Sequence, residues 1–232
     1  MKPIRIKILP ATAAVNNIAL IQSPGASPLT LTALATGPID NCVPGPNVNG
    51  VNLGLGRILA ITSGSDDSSI HFTIVGTDHN GLPVSEDVTG GDTAAVVTVK
   101  YYTSVKSITP SGSGAAGTVE VGTVNTTASA QLNCLPLDFY SRIGAVVQVD
   151  VVNTISYTVN QTFDDCVSVL STPSSNTYFV TPASPTALTA QSASKYTQLT
   201  PGVCGLQVLI PTYTATGYIV VNVVQPANSN LG

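Results

Sequence analysis

Ile70-His71-Phe72-Thr73-Ile74-Val75-Gly76-Thr77-Asp78-His79-Asn80-Gly81-Leu82-Pro83-Val84-Ser85-Glu86-Asp87-Val88 is the stretch whose reading decides the fold. Ile70, Phe72 and Ile74 alternate with His71, Thr73 and Val75, the period of two that buries one face of a strand. Asn80-Gly81 then supplies a tight hairpin, and the chain returns through Leu82 to Val88. Gly90-Gly91-Asp92 turns it again before Ala94 to Tyr102. Val105 to Thr109 and Thr118 to Val121 follow, separated by Pro110-Ser111-Gly112-Ser113-Gly114. From Arg57 to Val124 the sequence therefore predicts a meander with a turn about every ten residues, the spacing of an all-β sandwich or barrel.

Composition carries the same reading outward. The chain has 232 residues, of which 9% are charged, with no Trp and a single Met. Val and Thr are stiff at the first side-chain torsion and suit a pleated surface, while the 20 Gly and 16 Pro supply turns. The length suits one large β domain or two small ones at about 100–200 residues each. Period-two alternation recurs at Ile4, Ile6, Ile8 and at Leu29, Leu31. Asn125 to Asn133, small and polar without a strong period, is the candidate linker. Beyond it, Ala145 to Val152 and Ile155 to Gln161 read as a second hairpin about Asn153-Thr154. Leu206 to Ile210 and Tyr218 to Val224 read as a closing one. Ser171 to Ser194, rich in Pro, Ser, Thr and Ala, reads as a long excursion with a short strand at Tyr178-Phe179-Val180. The expected fold is an all-β, antiparallel β-sandwich of jelly-roll or Ig-like type. It is divided into an N-terminal arm or first strand (1–30), a first sandwich (31–130) and a second sandwich (131–232).

The net charge of −4 comes from twelve scattered acids and eight scattered bases. A basic footprint for nucleic acid is missing, and no window approaches the eighteen or more apolar residues of a membrane span. Met1 to Leu9 alternates basic and apolar residues and breaks at Pro10, so it lacks a signal peptide's apolar core, and the expectation is a soluble chain not exported by the usual route. Cys42, Cys134, Cys166 and Cys204 show no two-residue gap of a zinc ribbon or redox dithiol. Buried thiols are the expectation, with three disulfide pairings left open.

Chemistry-bearing residues are few. His71 and His79 flank the hairpin turn, with neither a nucleophile elbow nor a partner acid at motif spacing. Asp66-Asp67 reads as a turn whose side chains cap local amides, and Asp164-Asp165 as a structural turn or interface, because the alternating loop of a calcium site is absent there. Glu86 and Asp87, neighbours in a strand, point to opposite faces and so do not pair as glycosidase carboxylates. Gly54-Leu55-Gly56 lacks the lysine and helix of a phosphate loop, and Gly112-Ser113-Gly114 reads as a flexible turn. Asn125 and Asn160 head short glycosylation patterns that read as idle. Tyr101, Tyr102, Tyr178, Tyr196, Tyr213 and Tyr218 could line a sugar surface, but most tyrosines lie singly in strands. The sequence thus offers no catalytic, cofactor-binding or metal-binding residues, and a non-enzymatic protein is expected.

Arg57 to Gly64, His71 to Gly81 and Glu86 to Gly90 resemble a group of small β-rich structural proteins of tailed bacteriophages. Val99 to Thr109, Gly117 to Thr123, Tyr157 to Asp165 and Tyr218 to Gln225 fit the same pattern, so the resemblance spans most of the chain. It implies a virion component, either a capsid decoration or cement protein on the capsid exterior or a neck or tail part, made in the host cytoplasm. Its expected partners are the major capsid protein, or neck and tail proteins, and copies of itself in a trimer. The resemblance carries no catalytic residues, and the four cysteines and the excursion 171–194 depart from the pattern. Met1 to Leu9 and Pro226 to Gly232 are expected as extended ends that add strands to neighbours.

Overall fold

A computed structural model describes residues 3–32, 51–78, 82–124, 130–131, 135–137, 144–163, 188–199, 202–214 and 216–225. The strands follow in chain order. β1 (Ile4–Ile8), β2 (Ala19–Gln22), β3 (Val51–Arg57), β4 (Leu59–Ser63), β5 (His71–Thr77), β6 (Pro83–Thr89), β7 (Ala95–Val97), β8 (Tyr102–Pro110) and β9 (Val119–Thr123) lie in the first half. β10 (Ala130–Gln131), β11 (Leu135–Pro136), β12 (Val146–Val152), β13 (Thr158–Thr162), β14 (Lys195–Gln198), β15 (Gly205–Ile210) and β16 (Tyr218–Val224) complete the fold. They form an all-β, antiparallel sandwich-type architecture of three sheets. Two are four-stranded, β2-β9-β4-β7 and β1-β16-β12-β14, and an eight-stranded one runs β11-β15-β10-β3-β8-β5-β6 with β13 beside β15.

The long sheet serves two cores. Phe72, Ile74, Val84, Val88, Tyr102, Val105 and Ile108 from its β5, β6 and β8 pack against Leu59, Ile61, Val119 and Val121 of the β2-β9-β4-β7 sheet. Val159, Leu206, Val208 and Ile210 from β13 and β15 pack against Val147, Val149, Ile219, Val221 and Val223 of the other four-stranded sheet. Each of these side chains supplies about 1.5–3 kcal/mol on leaving water, so either core is sizeable. β3 is the seam: Leu53 belongs to the first core and Leu55 to the second. Between them Gly54 takes φ 82°, a left-handed conformation open to glycine, where the pairing with β8 shifts register.

The β5–β6 hairpin pairs from His71↔Thr89 through Thr77↔Pro83. Asp78 closes it: its amide donates to the Leu82 carbonyl (2.8 Å), and its Oδ1 accepts the Leu82 amide (2.9 Å). The two expected hairpins of the second half do not form. β12 pairs with β14 and β16, whereas β13 pairs with β15, so the turn at Asn153-Thr154 carries the chain across the sandwich from one sheet to the other. The link from β15 to β16 crosses in the same way. The two arches lean on each other. The Thr214 amide and hydroxyl both donate to Thr154 O, and Asn153 Nδ2 donates to Thr216 O (2.9 Å). A Cβ on Gly217 would overlap the Thr154 carbonyl.

Other expected elements change in detail. Ala94 to Tyr102 breaks after Val97, because the Glu86 carboxylate takes the amides of Val99 (2.7 Å) and Lys100 (3.0 Å) out of the ladder. Leu29 and Leu31 lie in irregular chain, although the Leu29 amide reaches Ile108 O. The candidate linker contributes β10, which bridges β3 and β15; the rest of 125–133 lies outside the described residues, as do Tyr178-Phe179-Val180 and most of the 171–194 excursion. Ile4 to Ile8 is a first strand, paired along its whole length with β16 of the same chain. Residues 226–232 lie outside the described residues.

Candidate functional site

The candidate groups of the sequence are spread over the surface. His71 opens β5, exposed, with Nδ1 3.3 Å from Thr89 Oγ1 and its amide donating to Ser111 Oγ. Register places Asp87 diagonally opposite, but its Oδ1 accepts the Thr73 hydroxyl at 2.6 Å. Glu86 is committed to the Val99 and Lys100 amides, and Lys100 Nζ donates to Ser85 O (2.6 Å). Asp66 is exposed, and hydrogen bonds from the Ser68 hydroxyl and amide hold its carboxyl below the usual carboxylate range. Asp67 is buried and accepts the Ala116 amide at 2.7 Å, stapling the 64–70 turn to the chain before β9. Gly112, at φ 59°, and Gly114, at φ 88°, shape that preceding turn. Among the described residues no three His, Cys, Asp or Glu side chains converge to hold a metal ion. Among the same residues no helix is long and apolar enough to cross a membrane.

The remaining candidates are mostly interior. Asn160 is buried in β13, with Nδ2 reaching Gln207 Oε1 of β15 at 3.4 Å, so its side chain is closed to a glycan in this fold. The half-buried Cys204 thiol donates to Phe163 O at 2.9 Å. Cys42, Cys134, Cys166, His79, Asp164, Asp165, Asn125 and Tyr178 lie outside the described residues. Tyr102 and Tyr213 are buried, Tyr101 is half-buried, and Tyr218 lies under Lys7 with its ring centroid 4.1 Å from Nζ. Tyr196 is 78% exposed on the edge strand β14. The described tyrosines therefore do not converge on one platform. Burial pushes the Tyr102 phenol well up, with Glu86 and Asp87 adding to it, and burial followed by the Asp150 charge pushes Tyr157 up to about 12.

What the structure does assemble is a polar junction between the two cores. Arg57, the last residue of β3, is wholly buried. Its Nη2 donates to Val124 O (3.3 Å) and to the Tyr213 hydroxyl, and the guanidinium carbon lies 5.3 Å from the Tyr213 ring centroid. The Tyr213 hydroxyl donates onward to Ala11 O at 2.7 Å. A guanidinium cannot shed its charge, so burial obliges the fold to give it oxygen acceptors and a ring face. The sequence signal for this junction is a lone Arg57 inside Leu55-Gly56-Arg57-Ile58-Leu59-Ala60-Ile61. Its partners lie 67 and 156 residues away, beyond the reach of any spacing rule.

Several large apolar side chains among the described residues stay exposed on sheet edges and faces. Leu20 and Ile21 on β2 and Val97 with the nearby Val99 mark the two edges of one four-stranded sheet; Ile21 is 64% and Val99 83% exposed. On the outer face of the other, Val146 and Val224 are direct cross-strand neighbours, with Tyr196 on the diagonal. Arg5 and Lys7 lie exposed on β1, and Asp150 accepts from Gln148 Nε2 (2.7 Å) and Asn222 Nδ2 (3.2 Å) on the same sheet. No known protein family, curated protein or solved structure matches the chain.

Proposed function

We propose that the protein is a non-enzymatic structural component of a tailed-bacteriophage virion, a decoration or cement protein that binds the capsid exterior and stabilises the head. The observation that supports this reading most is the division of its side chains. The carboxylates of Glu86, Asp67 and Asp78 are spent on the chain's own backbone amides, while Leu20, Ile21, Val97, Val99, Val146 and Val224 are held out on sheet edges and faces. Long-lived protein contacts favour such surfaces, because desolvating charge costs free energy and apolar contact does not. Edge strands add a second attraction, since their outer backbone groups accept a neighbour's strand.

The working form is a homo-oligomer, a trimer, whose subunits clamp adjacent capsid proteins. The β1 arm takes part through its outer edge, with its inner edge held by β16 of its own chain. A neck or tail position is the alternative within the same class, and copy number per particle separates the two. The glycan-binding reading is weaker, because Tyr102 and Tyr213 are interior. The test is co-sedimentation with purified, undecorated phage heads. Binding that saturates at a fixed number of copies per capsid site and raises the temperature at which heads rupture supports the proposal; protein left in the supernatant at every concentration rejects it.

A further inference from the structure

We infer that Arg57 and Tyr213 form a clasp that makes the two sandwiches one mechanical unit. Besides β3, the chain passes between the sheets of the two cores along residues 9–18, from β1 to β2, and again between β9 and β10. Ala11 lies in the first crossing and Val124 opens the second. Both carbonyls end on the same two side chains: Arg57 Nη2 holds Val124 O, and the Tyr213 hydroxyl, itself a partner of Arg57, holds Ala11 O. Arg57 is rooted in β3, the strand whose Leu53 and Leu55 serve different cores. Tyr213 is rooted in the second sandwich through its bridge to Ile155.

The hydrogen bonds run in one direction, from guanidinium to phenol oxygen to carbonyl, so each polarises the next. Around the clasp the first crossing is gripped again. The Thr123 amide donates to Ala14 O, Asn17 exchanges two hydrogen bonds with Thr123, and Gly122 leaves room for the Ala14 carbonyl that a Cβ would occupy. Relative motion of the sandwiches has to break the buried charge's contacts first, and an uncompensated buried guanidinium is costly. The clasp is therefore a positioning device. It fixes where the β1 edge stands relative to the β2-β9-β4-β7 sheet, which sets the spacing of the outward surfaces.

The test compares the full-length wild type with Arg57→Met, Arg57→Lys and Tyr213→Phe by calorimetry and hydrogen exchange. The wild type is expected to unfold in one transition. Arg57→Met should split it into two, and Tyr213→Phe, which keeps the ring and removes both hydroxyl bonds, should raise exchange at residues 11–18 by about tenfold while β5 and β6 keep wild-type protection. Arg57→Lys, retaining the charge, should lie between. Should Arg57→Met fail to fold, Tyr213→Phe decides alone. A single transition in every variant, or loss of protection spread evenly over both cores, overturns the clasp, since a merely structural residue lowers stability without uncoupling the halves.

Discussion

The β5–β6 hairpin and the paired arches of the second sandwich are built from the same vocabulary of alternating Val, Ile and Thr, yet they solve opposite problems. In the hairpin, Phe72 meets Val88 and Ile74 meets Glu86 across a turn of a few residues, so local sequence specifies its own partner. In the second sandwich, β1 pairs with β16 from the far end of the chain, and β12 with β14 and β16. Alternation states that a strand has one buried face; it does not state whether the next strand lies beside it or across the core. Pairings of such sequence separation close long loops before they gain contacts, and folding should begin in the β5–β6–β8 meander and end with β1.

The largest expected effect comes from matched truncations of the two cores. Ile74→Ala in the first and Ile219→Ala in the second, both fully buried, should each cost about 2–5 kcal/mol in chemical denaturation. Kinetics sharpens the comparison: Ile74→Ala should slow folding, and Ile219→Ala should mainly accelerate unfolding. The reverse assignment would place the nucleus in the second sandwich.

Next come the glycines on which backbone rests. A Cβ on Gly76 would overlap the Ser104 carbonyl beside the hairpin, and one on Gly217 the Thr154 carbonyl between the arches. Gly76→Ala and Gly217→Ala should each lose about 1–3 kcal/mol, because a backbone neighbour cannot swing aside as a side chain can. Thermal melts of the two variants compare how far each region yields.

An alkaline titration follows in size. Tyr102 and Tyr157 hold their protons above the pKa they would have unfolded, Tyr157 up to about 12. Folding free energy from these groups is therefore fully present below about pH 10 and declines as pH rises toward the folded values. Phenolate absorbance from one tyrosine in each sandwich should appear only as the fold is lost; a smooth titration near pH 10 with circular dichroism unchanged would mean that both rings are open to water.

The smallest effect on stability is expected at the surface. Leu20→Ser with Ile21→Ser should leave the unfolding free energy within about 0.5 kcal/mol of wild type. If the protein forms the proposed oligomer, sedimentation velocity should show that the double variant self-associates more weakly, and an unchanged oligomer would remove the β2 edge from that proposed interface.

How much of this was legible follows the same contrast. Phe72 and Ile74 announce their hairpin because their partners on β6 lie within the same window; Asn80-Gly81, the expected turn, lies outside the described residues. β3 was invisible as a strand, since Gly54 and Gly56 lower strand propensity at the place where the seam needs a bend. Residues 145–161 were read as a hairpin because Asn153-Thr154 suits a turn of either kind, and the pairing of β12 with β16 and of β13 with β15 shows which was built. For the surface, low charge pointed to contact with other chains, but which apolar residues stay outside depends on the edges at β2 and β7.

The most direct measurement is the mass of a purified phage head before and after saturation with the full-length protein, read by charge-detection mass spectrometry. The account predicts a discrete gain equal to a whole number of chains per capsid symmetry position, reached at one plateau. A head whose mass does not change, with the protein recovered as a monomer, would contradict it.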